Sequence, residues 1–359
     1  MRRWRVHPET RIRIVVIALI LASASVPSFS AAETGQAAFR RGDYAAAASR
    51  FLTLAERGNA IAQNNLGALY LKGRGVARDY AEARRWFELA AAANLAGAMF
   101  NLGIVYLRGY GVDSDIERAN EWFERGARGG DREAQFFLGL HLHEGRGIKR
   151  NVAMAATWFE LAAEQNLAAA QYNLAVMYLN GTGVTSDEAR AVDLLERATD
   201  QGHEQATLTL ARIELAANED PSSTARGAER FKQLAENGNV EAQIGLGLMY
   251  TFGQGVAQDF EEGRFWLKLA SNQGSGAAQL NLGNIYAEGI GVERDQVTAY
   301  AWYTISAAHG EQVAAELRDT LAQELDEASL ARGRDLAGKL GSAMPVHGTD
   351  AARDGEHPG

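Results

Sequence analysis

The residues with the most obvious chemical potential are few. The chain of 359 residues has 7 histidines and no cysteine. His141 and His143 are the closest pair. Two apart on a helix, they point to different sides and cannot chelate one ion together. His141 stands in the slot that Leu69, Val105, Met177, Ile213, Met249 and Ile285 occupy at intervals of 36 residues, so it should face a core. A packed histidine with one hydrogen bond is the first reading. A pH-sensitive weak point is the second, because imidazole titrates near neutrality. A metal ligand is the third. No Ser is followed three places later by Lys, and there is no His-Glu-x-x-His. The Gly-x-Gly stretches follow no strand, so they form no phosphate-binding fingerprint. No catalytic residue, metal ligand or cofactor is assigned.

Binding chemistry is richer. Asn65, Asn101, Asn173 and Asn281 share one phase of the same period. A carboxamide offers donors and an acceptor, so a row of them can grip the backbone of an extended peptide. The alternative is that each Asn bridges neighbouring repeats. Phe137, Thr209 and Gly245 interrupt the row. Phe137 marks either an apolar anchor pocket or local repacking, and His143 lies one turn and a half further on. Lys72 and Arg108 share another position, where they are either simply solvated or mark a small positive spot in an otherwise acidic groove. These eight residues, Asn65, Asn101, Asn173, Asn281, Lys72, Arg108, Phe137 and His143, are the candidate partner-binding set.

The elements that must position them are written in the period. Leu-Gly or Leu-Ala recurs every 36 residues, at Gly67, Gly103, Gly139, Ala175, Ala211, Gly247 and Gly283. A Gly-x-Gly-Val or Gly-x-Gly-Ile turn follows in six of these units, the first at Gly73, Gly75 and Val76. A Trp-aromatic or Trp-Leu pair comes next, as in Trp86-Phe87 and Trp266-Leu267. Apolar residues between the landmarks fall at helical spacing. Asp79, Asp115, Asn151, Asp187, Ser223, Asp259 and Asp295 are expected N-caps of the second helices. Asn94, Gly130, Asn166, Gly202, Gly238, Gly274 and Gly310 are expected at their ends, because Gly and Asn tolerate the left-handed conformation. Asp43 and Gly58 are in phase too, so a shorter hairpin precedes the first full unit. The unit around residues 211 to 237 has lost its Gly-x-Gly turn and carries Arg230 at the Trp position. Its length is unchanged, so it reads as an intact repeat with a different turn.

A unit of this length cannot bury its own apolar face and must stack on its neighbours. The pattern A-x-x-x-L-G-x-x-Y…G-x-G-V…D-x-x-x-A-x-x-W-F-x-x-A-A resembles Sel1-like repeats, relatives of the tetratricopeptide repeat. The best-matched stretch runs from Ala62 to Tyr70 and on through Gly73, Arg74, Gly75 and Val76. The resemblance implies an all-α, right-handed superhelical solenoid of antiparallel helix hairpins. It also implies that the first helices, with the Asn row, line the concave face, and that the protein is a protein–protein adaptor. Some cysteine-rich relatives are linked to β-lactamase activity. The disulfide framework they rely on is absent here, so that activity is not carried over.

The expected organisation is a secretory leader over residues 1–32, an N-terminal hairpin over 33–58, seven repeats over 59–310 with the fifth degenerate, capping helices over 311–340 and a disordered tail over 341–359. Arg2, Arg3, Arg5, Arg11 and Arg13 precede the apolar run Ile14 to Ala22, and small residues follow, which is the order of a signal peptide. An uncleaved inner-membrane anchor is the alternative. No other stretch is apolar enough to span a bilayer. Without a cysteine there is no lipoprotein anchor and no disulfide, so stability must come from stacking. Removal of the leader takes the formal charge from −9 to −13. A chain this acidic does not suit nucleic acid or an anionic membrane, and a basic or neutral polypeptide partner fits better. The reading is a non-enzymatic periplasmic scaffold or regulator that binds a polypeptide in its groove. The alternatives are an envelope hydrolase and a binder of peptidoglycan or polysaccharide.

Overall fold

The computed structural model describes residues 31–216 and 221–342. The expected leader up to residue 30, the degenerate turn at 217–220 and all of the expected tail beyond Ser342 lie outside these. Among the described residues there are 18 α-helices and no strand. They divide into two compact units, Met1–His203 and Glu204–Gly359.

The first unit holds α1 (Ala31–Arg40), α2 (Tyr44–Ala55), α3 (Ala60–Lys72), α4 (Tyr80–Ala92), α5 (Ala96–Arg108), α6 (Ile116–Arg128), α7 (Arg132–Glu144), α8 (Val152–Glu164), α9 (Ala168–Asn180) and α10 (Glu188–Thr199). The second holds α11 (Glu204–Ala216), α12 (Pro221–Glu236), α13 (Val240–Phe252), α14 (Phe260–Asn272), α15 (Gly276–Glu288), α16 (Gln296–Ala308), α17 (Gln312–Glu324) and α18 (Glu327–Ser342). Within each unit, consecutive helices pack in pairs and successive pairs stack.

Helix boundaries follow from the caps. Asp79 accepts from the backbone N–H groups of Ala81 and Glu82, and Asp115, Asn151, Asp187, Asp259 and Asp295 act alike at the starts of α6, α8, α10, α14 and α16. Ser223 does not cap α12. That helix begins at Pro221, whose missing N–H costs nothing in a first turn, and Ser223 lies inside it, buried. At the far ends of the second helices, Asn94 and Asn166 both have φ 61°. The glycines of the Gly-x-Gly turns do two jobs. Gly73 (φ 64°) ends α3 in the left-handed conformation. Gly75 (φ 71°) lies so close to the preceding hairpin that a Cβ would meet the Tyr44 backbone at 2.2 Å.

The 36-residue glycine clock has a packing cause. A Cβ on Gly67, Gly103 or Gly139 would meet the ring of Phe87, Phe123 or Phe159 at 2.7, 2.4 or 2.8 Å. Each phenylalanine is all but fully buried, which makes it worth about 1.5–3 kcal/mol of transfer free energy. In the second unit Gly283 takes Tyr303 in the same way, at 2.4 Å. The fifth hairpin differs. Ala211 carries a methyl in the ring's slot, and the Phe231 ring lies instead over Gly245 of the next hairpin, where a Cβ would come within 2.5 Å. That is why the Asn row breaks at Gly245.

Neighbouring hairpins are stitched by glutamines that the sequence reading missed. Gln135, Gln171 and Gln243 each donate from Nε2 to a carbonyl eight residues earlier, at Ala127, Ala163 and Ala235. Each then accepts at Oε1 from a glutamine thirty residues later, Gln165, Gln201 or Gln273, at 2.7–2.8 Å. His309 makes the same bridge to Gln279 at 2.8 Å. Gln63 keeps its carbonyl bond to Ala55, but position 93 is an alanine and the buried Gln63 Oε1 has no partner.

Two helices close the second unit. Tyr300 of α16 packs on Gly333 of α18, and Leu321 of α17 joins the Tyr300 and Tyr303 cluster. The helix α18 runs through Ser342, so Gly341 and Ser342, expected in the tail, are helical.

Candidate partner-binding face

The first helices of the first unit carry most of the candidate residues, and the structure treats them unequally. Asn65 is 2% exposed and its Oδ1 has no hydrogen-bond partner. Asn101 is 4% exposed, and its Nδ2 donates to Asn64 Oδ1 of the preceding repeat at 2.8 Å. Asn101 is thus a bridge between repeats. Asn173 is half-buried and donates to Ala169 O of its own helix at 2.7 Å. In the second unit Asn281 does the same with Ala277 O at 2.8 Å. Within the first unit the shared phase places Asn65, Asn101 and Asn173 on one face, yet burial withdraws Asn65 and Asn101 from it. Asn101 meets Asn64 of the neighbouring first helix, a contact that the helical pattern does not encode.

Phe137 explains part of that packing. It is half-buried, with its ring centroid 5.5 Å from Phe100, 5.3 Å from Phe123 and 5.9 Å from Phe136. This is local repacking by an aromatic cluster with a partly open edge. Below it lies His141, 2% exposed and edge-on to Phe123. Its Nδ1 donates to Asn120 Oδ1, and Asn120 Nδ2 donates to the Arg146 carbonyl of the third turn at 2.8 Å. The histidine is a packed one. Burial, with Arg146 as a lesser cause, pushes its pKa down to about 4. Asp131 caps the same helix where Leu95 and Leu167 stand in neighbouring repeats, and burial raises its pKa to about 6.

Lys72, Arg108 and His143 come together at one edge, where the first helices end and the turns begin. Lys72 and Arg108 are exposed and His143 is half-buried. Burial and then Arg74 lower the Lys72 pKa, and burial and then Arg150 lower that of His143. Beside this edge a cleft of about 760 Å³ lies between Arg84 and Glu88 of α4, Tyr106 of α5 and the turn from Val112 to Arg118. The Arg118 guanidinium sits 4.3 Å from the Tyr106 ring centroid. The cleft lining is mostly charged, with Glu88, Asp113, Asp115 and Glu117 beside Arg84 and Arg118. Among the described residues no group of three or more His, Cys, Asp or Glu could hold a metal ion, and no helix is long and apolar enough to cross a membrane.

The Sel1 repeat pattern matches residues 60–95, 96–131, 132–167, 168–203, 240–275 and 276–311. The chain belongs to the Sel1 repeat family. A Sel1 repeat protein from Oxalobacter formigenes is 30% identical, with a TM-score of 0.57, over 68% of this chain and 97% of that one. A protective antigen present in uropathogenic Escherichia coli strains is 25% identical over 91% of this chain and 88% of that one, with a TM-score of 0.42. No curated protein matches the sequence. Sel1 repeat proteins are generally protein–protein interaction scaffolds, and the fold is typically non-enzymatic.

The gap in the family match, residues 204–239, has a structural explanation. In four of the repeats a Tyr of the first helix and a Trp of the second share a hairpin, as Tyr250 and Trp266 do. Here they are Glu214 and Arg230, and Arg230 Nε meets Glu214 Oε2 at 2.9 Å while Arg226 Nε meets Oε1 at 3.2 Å. Glu214 is 6% exposed, so both substitutions are needed together.

Proposed function

We propose that the protein is a non-enzymatic scaffold that binds a polypeptide partner on the first-helix face of its Sel1 repeats, in a bacterial periplasm. Six matched repeats in stacked hairpins are the observation that carries the binding reading. The open part of the Phe137 cluster, His143, Asn173 and the exposed Lys72 and Arg108 supply the contacts. Asn101 acts behind them by fixing how one repeat sits on the next. Compartment rests on the sequence: the arginine-rich, apolar and small-residue segments before residue 33 come in leader order, and a cysteine-free repeat protein needs no oxidising partner to be stable outside the cytoplasm.

The test is affinity capture from a bacterial envelope extract with the purified protein, followed by reconstitution with the captured polypeptide in pure form. Direct binding, weakened by Phe137→Ala, is expected. Turnover of cell-wall substrates with no polypeptide captured would replace the scaffold by an envelope enzyme. N-terminal sequencing of the mature protein should begin near residue 33. Recovery of Arg2 would mean a retained anchor.

A further inference from the structure

The acidity of this chain is unevenly spread. Residues 33–203 carry 19 basic and 21 acidic side chains, whereas residues 204–342 carry 11 and 20. Within the first unit the charges are sorted again. Glu88, Glu124, Glu160 and Glu196 share one position on the second helices. Seven of the 19 cations stand at the turns that join first to second helices in the first three repeats.

The first such turn presents Lys72, Arg74 and Arg78, all exposed. Arg108 begins the second. Arg146, Lys149 and Arg150 form the third, also exposed. These turns lie side by side. Gly111 approaches Tyr80 so closely that a Cβ would sit at 2.7 Å, and the Tyr80 and Tyr110 rings stack at 5.2 Å. Asn120 ties the second hairpin to the third turn through the Arg146 carbonyl. The acids nearby are partly committed. Asp79 and Asp115 accept from the backbone at helix starts, and Glu144 faces Arg146 at 3.7 Å. Asp113 is the remaining carboxylate of the second turn.

The fold does not demand these charges. In the fourth repeat the same turn carries Thr182, Thr185 and Ser186, and in the sixth Gln254, Ala257 and Gln258. Arg74 and Arg78 lie over the Tyr44 and Tyr80 rings at 5.2 and 5.7 Å, and Arg150 Nε donates to the His143 carbonyl at 2.9 Å. Gln258 makes the equivalent bond to Thr251 O at 3.0 Å, and Ser114 makes it to Leu107 O at 3.0 Å, both without charge. The seventh turn carries Arg294 beside Glu293, but the positive charge is densest at the first and third turns, with Arg108 between them, and it exceeds what the neutral turns need.

We propose that this edge docks an acidic segment of a partner polypeptide, laid across the turns of the first three repeats. The proposal rests on the scaffold reading and names the chemistry of the partner. Guanidinium groups pair with carboxylates in bidentate fashion, and side-by-side turns offer them at successive points along an extended chain. A short acidic segment feels chiefly the charges within a Debye length, roughly 10 Å at 0.1 M salt, and so sees the positive edge. A membrane or nucleic acid also meets the field of the whole acidic protein, which repels it.

The purified protein is titrated into a fluorescein-labelled poly-glutamate peptide, followed by anisotropy at low and moderate salt. Binding that weakens with salt is expected. The set Lys72→Gln, Arg108→Gln, Lys149→Gln and Arg150→Gln should weaken it about tenfold or more. The set Arg57→Gln, Arg85→Gln, Arg125→Gln and Arg128→Gln changes net charge equally and should weaken it less than about threefold. Thermal melts establish that each variant is folded. Equal weakening by both sets overturns the proposal, because only the overall field would then matter. Binding to phosphatidylglycerol vesicles without peptide binding overturns it in favour of a lipid surface. Salt-sensitive self-association that the first set abolishes overturns it in favour of a second copy of this chain. If the captured envelope polypeptide binds the first set as tightly as the parent, the docking edge fails while the scaffold stands. If the parent captures nothing, the scaffold reading fails whatever the peptide does.

Discussion

His141 and Asp131 belong to one helix and titrate with opposite effect. The His141 pKa falls from 6.5 to about 4 on folding, so acid protonates the unfolded chain first, and stability present above 6.5 is lost as pH drops toward 4. The Asp131 pKa rises from 3.8 to about 6, so its contribution is complete below 3.8 and is lost as pH rises through 6. At about 1.4 kcal/mol per pKa unit, each effect is at most about 3 kcal/mol, and over the shared window they oppose each other. Thermal melts of His141→Leu should therefore gain stability between neutral pH and mild acid. Those of Asp131→Asn, which keeps the cap, should lose it, with the parent between them. Parallel slopes for all three would remove both assignments. Packing gives a second test at this scale. Gly103→Ala gains up to about 1 kcal/mol of helix propensity but drives a methyl into the buried Phe123 ring, an overpacking cost of about 1–3 kcal/mol. The clash wins, so Gly103→Ala should lower the melting midpoint. Phe123→Leu should relieve it, because Ala175 is paired in phase with Leu195. Additive effects in that double-mutant cycle would show that glycine and ring are not in contact.

Between elements, the missing link is the glutamine bridge at the first repeat. Ala93→Gln places the donor that Gln165, Gln201 and Gln273 supply elsewhere, and should stabilise the protein by about 0.5–1.5 kcal/mol by satisfying Gln63 Oε1. A midpoint unchanged by Ala93→Gln would mean that the bridge adds nothing. The fifth hairpin offers the reciprocal experiment. Arg230→Trp alone strands the buried Glu214 with Arg226 and should cost about 3 kcal/mol, while Glu214→Tyr with Arg230→Trp should return to parent stability or above it. Denaturant unfolding of the single and double variants decides, and equal loss in both would contradict the pairing. These features show where the sequence was readable. Asp79, Asp115 and Asn94 act where the periodic pattern set them, because caps are local chemistry. Ser223 fails because a proline two residues earlier starts the helix. The Gln135–Gln165 and Glu214–Arg230 pairs were visible as residues in phase. Their meeting was not, since it depends on how one helix lies on the next.

The molecule as a whole is an all-α Sel1 repeat protein whose identity as a scaffold fold was legible, and whose working surface was legible only in part. Phase placed Asn65, Asn101 and Asn173 on one face. It did not reveal that the first two are buried, because an amphipathic pattern reports direction and not depth. Net charge, taken over the whole chain, concealed the basic edge to which Lys72 and Arg108 belong. The central claim is that a polypeptide partner engages this face and edge and not the outer surface of the second helices. Site-specific photo-crosslinking in living cells addresses it directly, because the adduct forms with whatever polypeptide lies against the probe. A photoreactive residue at Lys72, Arg108 or Phe137 should yield a discrete adduct with another polypeptide, and one at Glu160 or Glu196 should not. Adducts confined to Glu160 and Glu196, or none at any of the five positions, would contradict the account.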